Sequence, residues 1–120
     1  MKFKFFLFSI ALLWASCQKA NDKNPALLGK WQGSEWLIFD KPSGMDASKV
    51  TFEFKEDGAY TATLGDQLQN GVWRTQADKL FTTEKGKQEI MVKLLRADGE
   101  ELTFEMNRSG QKETLKLKKQ

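Results

Sequence analysis

Histidine is absent from all 120 residues, and cysteine occurs once, as Cys17. Losing histidine removes the commonest general base and the usual switch near neutral pH. Without histidine, and with one cysteine near the N-terminus, there is no ligand set for zinc. One cysteine closes no internal disulfide, so the fold must stand on its hydrophobic core. No charge sign dominates: 19 Lys and Arg face 16 Asp and Glu. If Lys2 and Lys4 leave with the leader described below, seventeen basic and sixteen acidic side chains remain. Such a balance builds no strongly basic face, and nucleic acid is not an expected partner. No apolar stretch reaches membrane-spanning length. Phe5–Trp14 covers ten residues, which as a helix is roughly half of a ~30 Å hydrocarbon core. No segment carries a helical stripe of apolar residues.

What is present begins with MKFKFFLFSIALLWASC. Two lysines, a short greasy core, the small residues Ala15 and Ser16 and then Cys17 follow the order of an export signal. Leu13-Trp14-Ala15-Ser16-Cys17 resembles the lipobox of bacterial lipoproteins. Trp14 departs from that pattern, because an aliphatic residue is usual at its position. The resemblance implies cleavage before Cys17, a diacylglyceryl group on its thiol and an acylated amino terminus. Two or more acyl chains anchor a protein stably where one does not. Gln18 stands where an aspartate would favour inner-membrane retention, so the resemblance implies an outer-membrane lipoprotein of the cell envelope, facing the periplasm or the cell surface. Ordinary secretion, with cleavage after an Ala15-Ser16-Cys17 triplet, is the competing reading. The expected organisation is a signal peptide over 1–16, a lipidated N-terminus and tether over 17–26, and one domain over 27–120.

Within that domain the period is two. Val50-Thr51-Phe52-Glu53-Phe54-Lys55 alternates, as do Leu102-Thr103-Phe104-Glu105-Met106 and Leu115-Lys116-Leu117-Lys118. Such alternation marks strands with one buried face. Asp57-Gly58, Asn70-Gly71, Lys85-Gly86, Asp98-Gly99 and Ser109-Gly110 read as turns. Eight strands are expected, near 29–39, 49–55, 59–64, 71–75, 79–83, 88–95, 101–107 and 112–118. Short consecutive hairpins favour a meander, and closing it removes both sheet edges. The fold class is therefore all-β: an eight-stranded up-and-down antiparallel barrel. Thr, Glu and Lys opposite the apolar face exclude a lipid-facing outer wall. The expected lumen residues include Trp31, Phe52, Phe81, Ile90 and Val92. Of the neighbours Trp73 and Arg74 one faces inward, and Trp73 is favoured because charges are rarely buried unpaired.

Gly29-Lys30-Trp31 looks like the G-x-W motif that opens the barrel of lipocalins. Phe54-Lys55-Glu56-Asp57-Gly58-Ala59-Tyr60 and Gly71-Val72-Trp73 resemble motifs of small bacterial lipocalin-like domains. The resemblance implies a tryptophan packed across the closed barrel end under a late basic residue; the last strand offers Lys116 and Lys118. It also implies a first loop covering the open mouth. Trp36-Leu37-Ile38-Phe39 is apolar on both faces, and a bulge at Gly33-Ser34 would re-aim Trp36. The long loop Asp40–Ser48 follows.

Candidate ligand-binding residues are thus Trp36, Ile38, Phe39, Met45, Phe54, Tyr60 and Trp73, with Cys17 as the lipidation site. The expected function is a membrane-anchored lipocalin-like lipoprotein that binds a small apolar ligand in or at the barrel mouth. A protein–protein or inhibitor module of the envelope is the alternative, and so is a barrel filled by its own side chains. Glu53, Glu101 and Glu105 fall on outer faces or in turns, so no acid–base pair forms. The chain is not expected to be an enzyme, and no metal or cofactor is implied.

Overall fold

The structure is a computed structural model that describes residues 23–120. The expected signal peptide and the expected lipidation site Cys17 lie outside the described residues. Nine strands follow in order: β1 Gly29–Ile38, β2 Lys41–Pro42, β3 Val50–Phe54, β4 Ala59–Leu64, β5 Gln67–Gln76, β6 Lys79–Glu84, β7 Glu89–Ala97, β8 Glu101–Arg108 and β9 Gln111–Lys119. All neighbours are antiparallel, and each long strand pairs with the next in sequence. β1 also pairs with β9, from Trp31↔Lys119 to Ile38↔Glu113. That pairing closes an eight-stranded up-and-down barrel. The two-residue β2 is a hairpin extension of β1.

Register decides what faces the lumen. On β1 the register shifts between Gly33 and Glu35, so Ser34 is the extra residue of a bulge. The bulge brings Trp36 opposite Leu115 and Ile38 opposite Glu113, on the inner face. Beside the bulge, Gly33 leaves room for a neighbouring turn by its lack of a side chain. A Cβ there would sit 2.1 Å from the Ala47 carbonyl oxygen of the 3-10 turn Ala47–Lys49, which packs over β1. Trp73 lies opposite Thr82 on the inner face, and Arg74 lies opposite Phe81 on the outer face. Arg74 covers the Phe81 ring at 4.0 Å and meets Glu89 at 3.0 Å.

Three expectations are corrected. Phe81 is not a lumen residue; Leu80 and Thr82 take the inner phase of β6 and are buried. Asn70-Gly71 is not a turn but the middle of β5, and the chain turns instead at Gly65 and Asp66, between Leu64 and Gln67. The reason is again close backbone approach: a Cβ on Gly71 would lie 2.0 Å from the Thr83 carbonyl oxygen of the neighbouring strand. The Asp40–Ser48 segment is also less open than a plain loop, since it contains β2 and the start of the 3-10 turn, whose Ala47 is buried.

One barrel end is packed solid. The 3-10 turn Pro25–Leu27 enters there, with Asn24 capping Ala26 at 2.9 Å and its own N–H donating to Thr75 Oγ1 at 2.8 Å. Leu27 and Trp31 are fully buried, and the Trp31 indole N–H donates to the Leu27 carbonyl at 2.8 Å. Phe54 meets Trp73 edge to face at 5.2 Å, and the Trp73 indole donates to the Lys55 carbonyl at 2.9 Å. Burying each such large apolar side chain contributes about 1.5–3 kcal/mol, and the indole bonds remove the penalty of an unpaired N–H. The covering cation is Lys119 rather than Lys116 or Lys118. Its ammonium lies 4.8 Å from the centre of the Trp31 ring and donates to the Leu28 carbonyl.

Candidate functional site

The other barrel end is built differently. The inner phase of the strands carries Trp36 and Ile38 on β1, Leu64 on β4, Gln67 and Gln69 on β5, Glu84 on β6, Ile90 on β7, Met106 on β8 and Glu113 on β9. The carboxylates and carboxamides of the inner phase therefore gather toward this mouth. A cleft of about 400 Å³ opens there, lined by Tyr60, Gln69, Thr82, Glu84, Lys87, Gln88 and Ile90. That volume is enough for a small ligand.

Tyr60 forms the floor. Burial pushes its phenol above the ordinary value, the Glu84 carboxylate pushes the same way, and a hydrogen bond with Thr82 opposes both. Glu84 keeps about a quarter of its side chain exposed and meets Lys87 at 3.4 Å; the Lys87 side chain is 69% exposed on the lip. Ile90 is 60% exposed although its register faces inward; β7 pairs with β8 only from Lys93 onward, so Ile90 has a paired neighbour on one side alone.

On the β1–β9 wall of the same mouth, Glu113 is buried. Its carboxylate accepts the Trp36 indole N–H at 2.9 Å and the Gln111 amide at 3.3 Å, and Arg108 approaches to 3.7 Å. A buried carboxylate persists only with such partners.

The candidate residues are thus divided. Phe54 and Trp73 belong to the solid end. Tyr60 joins that packing with its ring and the cleft with its phenol edge. Trp36 and Ile38 face the lumen across from the cleft. Phe39 and Met45 are exposed outside it, Phe39 at the tip of the β1–β2 hairpin. Sequence reasoning missed Glu84 and Glu113. The signal was there: the inner phase of Leu115 and Leu117 runs back through Glu113, and that of Leu80 and Thr82 runs forward to Glu84. A second cleft, about 340 Å³, lies on the outer wall beside the β1 bulge. Of its lining charges, Lys116 and Glu35 pair at 3.1 Å, and Glu101 meets Arg96 outside the cleft. Among the described residues no group of three metal-ligating side chains comes together.

No family model and no curated protein matches the chain. Among solved structures it is similar to the crystal structure of an uncharacterized protein from Bacteroides eggerthii DSM 20697. The match has a TM-score of 0.55 and 14% sequence identity, over 75% of this chain and 98% of that one. At that identity the likeness speaks for the fold alone: a small antiparallel barrel.

Proposed function

We propose that the chain is a lipid-anchored envelope protein that binds a small, mainly apolar molecule at the open barrel mouth. The observation that supports this reading is the contrast between the two ends. One is packed solid around Trp31 and Trp73. The other leaves a 400 Å³ cleft walled by Tyr60, Thr82 and Ile90. The cleft opens to solvent and is of a size that admits a small ligand.

The anchor fits the same geometry. The described chain begins beside the solid end, where Lys23 lies against Gly58. From Cys17 to Lys23 the backbone spans at most about 20 Å at ~3.3–3.6 Å per residue. Acyl chains on Cys17 would hold the solid end near the membrane and leave the mouth in water.

Binding is tested with the neutral dye N-phenyl-1-naphthylamine, whose fluorescence rises in apolar sites. The expected result is a saturable rise, weakened about tenfold or more by Gln69→Trp, which fills the cleft. No saturable rise, or one that Gln69→Trp leaves unchanged, contradicts the reading. The anchor is tested by intact mass. Loss of residues 1–16 together with added acyl mass is expected, and a mature chain without acyl mass means plain secretion.

A further inference from the structure

The proposed mouth site has its acids set deeper than its cations, and that order points to a class of ligand. Three ionisable side chains share the lumen-facing phase near the mouth, Glu84, Glu113 and Arg108, and the two acids are the less exposed. The cations nearest them, Lys87 and Arg108, stand on the lip with 69% and 65% of their side chains exposed. Glu113 is held by the Trp36 indole and the Gln111 amide as well as by Arg108. Glu84 meets Lys87, from a turn three residues on. An exposed pair of that spacing is worth little and reopens readily.

We infer, on the basis of the mouth-binding reading above, that the ligand is an amphipathic cation: an amine or other organic ammonium carried on an apolar body. Its ammonium takes the place of Lys87 on the Glu84 carboxylate, beside the hydroxyls of Tyr60 and Thr82. Its apolar part lies against Ile90. A fatty carboxylate entering the same cleft would meet Glu84 head-on. Lys87 would have to be shared between two like-charged carboxylates held side by side. The field of Glu84 already reaches the floor, since it acts on the Tyr60 phenol.

The test titrates the purified full chain with octylamine, octanol and octanoate at neutral pH and follows the Ile90 methyl resonance. Octylamine is expected to bind at least tenfold tighter than octanol, and octanoate more weakly than either. Glu84→Gln keeps the shape and removes the charge, so it should bring octylamine down to the level of octanol. Lys87→Ala, an exposed change, should strengthen octylamine binding two- to threefold by freeing Glu84. Glu53→Gln, on the outer face of β3, should change nothing. Equal binding of all three ligands, or tightest binding of octanoate, overturns the inference and leaves the mouth site standing. An Ile90 resonance that no ligand moves overturns both.

Discussion

Individual side chains decide most of what distinguishes the two barrel ends. Three tryptophans lie among the described residues, and each spends its indole N–H differently: Trp31 on a backbone carbonyl beneath Lys119, Trp73 on the Lys55 carbonyl, and Trp36 on the Glu113 carboxylate. Two are mortared into backbone; the third faces a titratable group in the lumen. Away from the lumen, Asp98 shows how one carboxylate fixes a turn. It accepts the N–H groups of Glu101 at 2.8 Å and Glu100 at 2.9 Å and a bond from Arg96 at 2.8 Å. The Glu101 and Glu100 bonds, then Arg96, hold its pKa down to about 2. The folded value lies below the unfolded one of about 3.9, so this support is complete above that value and fades as the pH falls toward 2. NMR titration of the Asp98 carboxyl should find a midpoint near 2, and an Asp98→Asn chain should lack this acid-sensitive step. A midpoint near 4 would show that the turn does not hold the carboxylate.

At the scale of elements, β1 carries the most information. It pairs on both sides, bends at Ser34, and ends in a two-residue turn whose residues both have positive φ, Phe39 at 48° and Asp40 at 64°. Asp tolerates that region; a bulky exposed aromatic does so at a cost of about 1–3 kcal/mol. Phe39→Asn should therefore raise stability by about 1 kcal/mol, which for a domain of this size is roughly 4–8 °C in Tm. An unchanged or lower Tm would mean that Phe39 contributes packing that offsets the strain.

The same strand shows what the sequence could and could not disclose. The bulge was legible because Gly33-Ser34 interrupts an apolar run that alternation alone cannot bury. The turn at Phe39 was not, because the conformation contradicts the residue's own preference and follows from pairing on either side. Gly71 misled for the opposite reason. Asn-Gly is a strong local turn signal, yet here the glycine answers a neighbouring backbone that only the assembled sheet supplies. Glu113 was hidden by its company: amid Lys112, Lys116, Lys118 and Lys119 it reads as solvent, and only counting phase from Leu115 places it inside.

For the whole molecule, closure through β1–β9 is the organising event. It leaves no free edge among the long strands, and it turns eight alternating patterns into one lumen with two unequal ends. The solid end receives the incoming chain at Pro25–Leu27; the mouth gathers the inward carboxylates, the glutamines and the cleft. In the proposed reading, binding belongs at the mouth and stability at the base. The most direct measurement follows both ends at once: an NMR titration with a neutral medium-chain alcohol, observing the Ile90 methyl with the indole N–H resonances of Trp31 and Trp73. The account predicts a saturable shift at Ile90 while both indoles stay in place. Indole resonances that move while Ile90 stays still, or no movement at either end, would contradict it.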